Sequence, residues 1–222
     1  MRKIFRMLFL VVLGIVIGMV VYEGIFFVRV WRLRNNNPSS TSLIDIRAQE
    51  AQAKGQQPRR EQVWVPLDKT SPNLQRAVLA GEDTNFMIHR GFDYEAIQKA
   101  WEQAQRETAR EAKAEGENDD WLPSLPEFRR GGSTISQQLA KNLYLSSQRS
   151  FLRKGQEAAL TVMLERTLTK RRILEIYLNV IECGDGIYGA EAASQRYFRK
   201  PASALTASEA AYLSAMIPNP RT

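Results

Sequence analysis

The sequence predicts a mainly α-helical protein with one membrane helix at its N-terminus. Three observations support this fold class: an uncharged apolar run over residues 7–22, apolar residues at helical intervals across residues 151–181, and no stretch in which apolar and polar residues alternate as in a half-buried strand. The 222 residues suffice for one well-buried domain with attachments but not for two sizeable catalytic domains. We therefore expect a single activity.

The N-terminal run MLFLVVLGIVIGMVVY, residues 7–22, predicts a membrane anchor. With the apolar residues on either side, it approaches the length of about 20 residues that a membrane helix needs. A cleavable signal peptide is the alternative, because Arg2, Lys3 and Arg6 form a basic leader. Large residues stand where a small-x-small cleavage site would lie, which favours an uncleaved anchor over residues 1–30. Basic residues nearly balance on the two sides, so charge does not set the orientation.

Residues 31–62 are polar and lack sustained apolar periodicity, which predicts a tether. The folded domain is expected over residues 63–222. It opens with a short β-like stretch at residues 63–65, and Ser71 followed by Pro72 predicts the start of the first helix. Further helices are predicted from Tyr94 to about Ala114, after residue 134, along the periodic region 151–181, at 190–197 and at 208–216.

The net charge of +7 suits a partner with phosphate groups, which could be nucleic acid, an anionic membrane surface or a phosphorylated substrate. Basic residues interleaved with exposed aromatics, or a nucleic-acid-binding module, would favour nucleic acid. The sequence shows neither feature, so we expect no nucleic-acid partner.

The single cysteine and the single histidine argue against thiol or metal chemistry built on those two residues. Cys183 is expected to be a small packed residue. Phenylalanines flank His89 and spacing places no acidic partner beside it, so we expect it to pack within its motif, with Asp83 as a cap or loop hydrogen-bonding group. Glu165 and Glu175 are expected on a solvated, salt-bridged helix face.

Two other carboxylates stand out by their surroundings. Glu82 falls where a helix pattern gives way to a loop, and Glu157 follows Arg153 and Lys154 at spacings that put all three on one helix face. Two carboxylates held apart by a groove are what glycosyl chemistry at an anomeric carbon uses. The alternative is an ordinary surface ion pair and a solvated helix end, and spacing alone leaves both interpretations open.

Residues 131–142, GGSTISQQLAKN, combine two glycines with several hydroxyls and amides ahead of an apolar helix. Paired glycines indicate a loop, and Ser133 or Thr134 could cap the helix that follows. The surplus of polar side chains also suits a surface that faces a ligand. Both interpretations remain open at this point.

Five segments in succession resemble the five motifs of the peptidoglycan glycosyltransferases, glycosyltransferase family 51. They occur in the family's order and span most of the chain from about residue 63 onward. The stretches VWVPLDKTSPNL and YLNVIECGDGIYGAEAA resemble the monofunctional branch of that family most closely, and no penicillin-binding domain follows in this sequence, so we expect a member of that branch. The segments are EDTNFMIHRGFD (82–93), GGSTISQQLAKN (131–142), RKGQEAALTVMLERTLTKRRILEIYLN (153–179), GIYGAEAASQRYFRK (186–200) and LTASEAAYLSAMIPNP (205–220).

The resemblance implies a lysozyme-like helical catalytic lobe with a smaller membrane-proximal jaw lobe. It implies polymerisation of glycan chains from lipid II, by inverting transfer from an undecaprenyl-diphosphate-linked strand to the GlcNAc 4-hydroxyl of the next lipid II. The implied location is the bacterial inner membrane, with one membrane pass and the catalytic domain in the periplasm. The implied partners are lipid II, the growing strand, the membrane, and proteins of cell-wall synthesis or division.

The resemblance also assigns roles to individual residues. It makes Glu82 the general base and Glu157 the second acidic residue, near the leaving diphosphate. A cluster of cations would stabilise the charge that develops on that leaving group. Mg²⁺ is the implied cofactor, since it suits a diphosphate held by oxygen ligands, but the sequence gives no ligands for it. The implied substrate-binding residues are Lys141, Arg153 and Lys154 at the diphosphate, and Thr134, Gln138 and Asn142 as polar contacts.

The chain departs from the family pattern in two places. It carries an insertion around residues 104–130, and it ends at PNPRT, where the family generally continues with a further helical segment. A lysozyme-like hydrolase is the main alternative function because it shares the fold and an essential glutamate. A hydrolase needs no dense cluster of cations for a diphosphate, and this argues against it.

Overall fold

A computed structural model describes residues 2–115, 133–146 and 150–220. The protein is mainly α-helical, as the sequence predicts, with a small sheet. In the described residues the α-helices are α1 (Arg2–Arg32), α2 (Ser42–Ala53), α3 (Pro72–Glu82), α4 (Tyr94–Glu115), α5 (Ile135–Tyr144), α6 (Phe151–Thr167), α7 (Lys170–Val180), α8 (Ala190–Phe198) and α9 (Ala207–Met216). The strands are β1 (Glu61–Gln62), β2 (Glu182–Gly184) and β3 (Ile187–Tyr188), with β3 central, parallel to β1 and antiparallel to β2.

Helix starts follow the capping residues of the sequence. Ser71 accepts a hydrogen bond from the N–H of Asn73 at the start of α3, with Pro72 in the first turn as predicted. The periodic region 151–181 divides into α6 and α7 instead of continuing as one helix. The Thr169 hydroxyl accepts from the N–H of Arg172 and begins the second helix. Apolar periodicity runs across this break, so it does not reveal the boundary.

Helix α1 is long and apolar enough to cross a membrane, and its residues from Arg2 to Tyr22 are exposed. Its C-terminal part is different, because Phe26 and Val30 are buried in the core together with Leu33. The Phe26 ring meets the Tyr144 ring edge-on at 5.8 Å, and α1 packs along α6. The apolar helix therefore ends inside the folded domain.

Residues 31–62 do not form the structureless tether that their composition predicts. Helix α2 packs on α5, with the Ser42 hydroxyl donating to the carbonyl of Leu145 at 2.9 Å. Arg47 on α2 donates from Nε to Glu182 Oε2 at 3.0 Å, and β1 pairs with β3. The segment is held by contacts with distant parts of the chain rather than by its own apolar pattern, which is why periodicity misses it. The predicted β-like stretch also lies two residues earlier, at Glu61–Gln62.

The core lies between α5, α6 and α7, and α3 packs against α9 beside it. Leu139, Leu160, Ile173, Ile176 and Tyr177 are fully buried there. Hydrogen bonds from Gln138 to Glu82 and from the N–H of Ile135 to Asp83 connect the C-terminal end of α3 to the first turns of α5. Of the insertion predicted around residues 104–130, the structure describes only the part that belongs to the end of α4. Residues 116–130 lie outside the described residues.

Candidate active site

Glu82 is the last residue of α3, and its side chain is half-buried. Its Oε2 accepts a hydrogen bond from Gln138 Nε2 on α5 at 2.8 Å. Its Oε1 has no hydrogen bond to any residue in the described part of the chain. The carboxylate is therefore held on one side and available on the other.

The loop after Glu82 is fixed by a buried carboxylate. Asp83 accepts from His89 Nε2 at 2.8 Å and from the N–H of Ile135, at the start of α5, at 2.9 Å. The Gly91 N–H donates to His89 Nδ1 at 3.0 Å, so the imidazole holds its own proton on Nε2. The expectation that His89 has no acidic partner was wrong, because helical spacing does not describe a loop that folds back on itself.

The polar residues of GGSTISQQLAKN mostly bond within the protein. Thr134 caps α5 and forms a capping box with Gln137, and its hydroxyl donates to the carbonyl of Gly91 at 2.7 Å. Ser136 donates to Glu165 on α6. Much of the surplus polarity therefore connects the Glu82 loop to α5, while the two glycines at 131–132 lie outside the described residues.

Gln138 uses both ends of its amide. Its nitrogen donates to Glu82, and its Oε1 accepts from the hydroxyl of Tyr177 on α7 at 2.9 Å. Tyr177 is fully buried, and burial raises the pKa of its phenol well above the usual value. Sequence reasoning missed Tyr177, since it resembles any core aromatic in a periodic helix.

Glu157 is 3 % exposed on α6, near its N-terminus. Its Oε2 accepts from Arg153 Nη1 at 2.9 Å, and its Oε1 accepts from Lys154 Nζ. The three side chains lie on one helix face, as the spacing predicts. Because Glu157 is buried, the group is not an ordinary surface pair.

Lys141 lies within electrostatic reach of both candidate carboxylates. The Lys141 side chain is exposed overall, but the protein atoms around its ammonium desolvate it and lower its pKa. The negative charge of Glu157 opposes this, the positive charges of Arg153 and Lys154 add to it, and Glu82 opposes it more weakly. Lys141 forms no ion pair with any residue that the structure describes. The neighbouring Asn142 is buried and, among those residues, its side chain has no hydrogen-bond partner. Arg153 and Lys154 thus contact Glu157, while Lys141 interacts electrostatically with both Glu157 and Glu82.

A cavity of about 520 Å³ lies beside Glu82. Its described lining contains Glu82 and Thr134 of the predicted site residues and none of the three cations. A larger cavity, of about 740 Å³, lies between α2 and the turn after β2 and contains neither carboxylate. The residues that line the smaller cavity include Gly81, Glu82, Thr84, Glu95, Lys99 and Ser133.

Glu165 and Glu175 do not lie on a solvated face. The Glu165 side chain is 7 % exposed and pairs with Lys170 at 2.7 Å, in addition to accepting from Ser136. Glu175 accepts from the N–H of Leu67 at 2.9 Å and pairs with Arg172. Both carboxylates are salt-bridged, as charge patterning predicts, but they join α6 or α7 to neighbouring segments instead of facing solvent.

The mainly helical domain has one partly free carboxylate at a cavity and a second, buried carboxylate paired with two cations. These are groups that an enzyme transferring glycosyl groups from a donor with an anionic leaving group would use. Comparison with known proteins supports this class. The family model described as Transglycosylase matches residues 49–116 and 122–222, and the chain belongs to that family. The match begins before residue 63, where the sequence predicted the domain to start.

Curated relatives align along most of the chain. It is 46 % identical over 221 residues to a biosynthetic peptidoglycan transglycosylase of Thiobacillus denitrificans, covering 100 % of this chain and 88 % of the relative. It is 47 % identical over 211 residues to the protein of that name in Aromatoleum aromaticum, covering 95 % and 84 %. The Laribacter hongkongensis protein of that name is 49 % identical over 190 residues, covering 84 % and 74 %.

Proposed function

We propose that this chain polymerises the glycan strands of peptidoglycan from lipid II. The growing strand leaves its undecaprenyl diphosphate and joins the GlcNAc 4-hydroxyl of the next lipid II, with inversion at the anomeric carbon. Membership of the transglycosylase family gives the reaction class. The observation that carries the proposal is the free Oε1 of Glu82 within the field of Lys141, whose other charged neighbours are Arg153, Lys154 and Glu157.

Glu82 is the proposed general base. Its unbonded Oε1 accepts the proton of the 4-hydroxyl as that oxygen forms a bond to C1 of the donor sugar. The bond from C1 to the diphosphate oxygen breaks, and its electron pair leaves with the diphosphate. Attack on the face opposite the leaving group inverts the anomeric centre.

Lys141, Arg153 and Lys154 are the proposed diphosphate-binding residues. Glu157 accepts hydrogen bonds from Arg153 and Lys154, so it holds the two cations in place, and its own role is to orient them. Fixed cations stabilise the charge that develops on the leaving group without a strong general acid. A hydrolase that acts on an uncharged leaving group gains nothing from this arrangement, so it favours transfer from a diphosphate.

The proposed polar contacts differ in whether their side chains already have hydrogen-bond partners within the protein. Asn142 is buried beside Lys141 without a side-chain partner among the described residues, and we propose that it binds the donor. The Thr134 hydroxyl already donates to Gly91 and accepts from Gln137, so its contribution is to place the first turn of α5.

The described residues do not form an oxygen cage for Mg²⁺. No three His, Cys, Asp or Glu side chains cluster in that part of the chain, and both oxygens of Glu157 already bond cations. The divalent cation stays a proposal, with the substrate diphosphate as its main source of ligands. No step above depends on it.

Helix α1 is the proposed single membrane span, with the catalytic domain on the periplasmic side of the inner membrane. Phe151 and Leu152, at the start of α6, the helix on which α1 packs, are 91 % and 89 % exposed. We propose that these two side chains insert into the periplasmic surface of the bilayer that α1 crosses. A chain that lacks residues 2–21 should therefore still sediment with anionic vesicles, and the further change of both residues to serine should release it. Equal sedimentation with and without the serines would contradict this second contact.

The decisive experiment for the reaction is polymerisation of purified lipid II by the full chain in detergent. Glu82→Gln should reduce strand formation to background while the variant stays folded. Glu102→Gln is the matched control, since Glu102 lies exposed on α4 and bonds only Gln98 among the described residues. Normal polymerisation by Glu82→Gln would refute the base assignment.

A further inference from the structure

We propose that Tyr177 is a positioning residue for Glu82 and that it acts through Gln138. This inference rests on the proposed role of Glu82 as the general base. The three groups form a hydrogen-bonded chain. The Tyr177 hydroxyl donates to Gln138 Oε1 at 2.9 Å, and Gln138 Nε2 donates to Glu82 Oε2 at 2.8 Å. They join α7, α5 and the end of α3, which are distant in sequence.

The need for Tyr177 follows from the symmetry of a carboxamide. A glutamine amide can rotate by half a turn and exchange its oxygen and nitrogen at almost no steric cost. In the rotated state Gln138 would face Glu82 with an oxygen, and two acceptors would then oppose each other. The Tyr177 hydroxyl prevents this, because its proton has Gln138 Oε1 as its acceptor and the amide nitrogen cannot accept a proton.

The burial of Tyr177 strengthens the preference for this orientation of the Gln138 amide. Tyr177 is fully buried, so water cannot serve as a substitute acceptor for its hydroxyl without disturbing the core. The ring is also held on α7, where Ile173, Ile176 and Val180 are fully buried. A rigid phenol thus fixes the amide, and the amide fixes Oε2 of Glu82 and leaves Oε1 for the incoming hydroxyl.

The proposal also limits what Gln138 does with substrate. Its nitrogen donates to Glu82 at 2.8 Å and towards the carbonyl of Ser133 at 3.4 Å, and its Oε1 accepts from Tyr177, so among the described residues one lone pair of Oε1 is left for a contact to the donor. The main role of Gln138 in this proposal is therefore to connect Tyr177 to the base.

The test compares kcat and KM for lipid II in the full chain. Tyr177→Phe keeps the ring and removes the hydroxyl, and it should lower kcat about fivefold to tenfold, with KM changed by less than about twofold. Tyr197→Phe is the control, because it removes a phenol hydroxyl that donates to the carbonyl of Cys183 at 3.0 Å, and kcat should be unchanged. A normal kcat in Tyr177→Phe, or a change confined to KM, overturns the proposal.

A double-mutant cycle separates positioning from packing. Gln138→Met removes both hydrogen bonds and should lower kcat at least as much as Tyr177→Phe does. If Tyr177 acts through Gln138, then Tyr177→Phe should add nothing further in the Gln138→Met background. Multiplicative losses would show that Tyr177 acts independently, and a normal kcat in Gln138→Met would overturn the proposal even if Tyr177→Phe failed to fold. If Glu82→Gln is inactive while Tyr177→Phe is normal, only this inference fails; if Glu82→Gln is active, both fail.

Discussion

Replacing Val30 with alanine tests whether α1 is part of the folded domain. Val30 is fully buried, whereas Val28, two residues earlier on the same helix, is 54 % exposed. Val30→Ala removes about two methylene equivalents from the core and leaves a cavity, which costs about 2 kcal/mol of unfolding free energy. Val28→Ala makes the same chemical change on the exposed side and should cost less than about 0.5 kcal/mol.

The assay is thermal unfolding of the full chain in a mild detergent, followed by near-ultraviolet circular dichroism. For a chain of this size, about 2 kcal/mol lowers the unfolding midpoint by about 4–8 °C. Val30→Ala should show this shift and Val28→Ala should stay within about 2 °C of the parent. Equal shifts in the two variants would refute the packing of α1 on the domain.

Two further predictions concern the cation cluster. Changing Arg153 and Lys154 together to alanine should weaken binding of a diphosphate-bearing donor at least about a hundredfold, because charged hydrogen bonds contribute about 1.5–3 kcal/mol each. Arg171→Ala, on the exposed face of α7, is the control and should leave the affinity unchanged. Unchanged affinity in the double variant would show that the pair does not bind the diphosphate. The lowered pKa of Lys141 means that its positive charge, present below that pKa, is lost at a lower pH than for an ordinary lysine, so donor binding should fall as pH rises through it. Lys141→Arg, which stays charged, should move this fall to higher pH, and the same profile in both proteins would contradict the assignment.

Local spacing was enough to predict the helices that begin with a cap and the grouping of Glu157 with its cations. Residues three and four apart on a helix share a face whatever the tertiary fold, so Arg153, Lys154 and Glu157 could be grouped from sequence. Ser71 and Pro72 likewise mark the start of α3 by local chemistry. These predictions hold because they depend on one helix at a time.

Contacts between distant segments were beyond such reasoning. Helix α2 is held by the pairing of Arg47 with Glu182, more than a hundred residues away, and its own sequence has no apolar periodicity. The link from Tyr177 to Glu82 crosses three helices and cannot be seen in any one of them. Side chains that looked free for a ligand in GGSTISQQLAKN proved to be bonded, because their partners come from the Glu82 loop and α6.

As the proposed membrane span, α1 would set how high the cavity beside Glu82 stands above the bilayer. A helix of 31 residues is about 46 Å long, and about 30 Å of it suffices to cross the hydrocarbon core. The remainder ends within the domain at Phe26 and Val30, so the domain cannot tilt or rise freely on a flexible stalk. Each residue added before Phe26 would lift the cavity beside Glu82 by about 1.5 Å and turn it by about 100°. For a substrate whose lipid tail stays in the membrane, the length of this helix sets both the reach and the direction of approach.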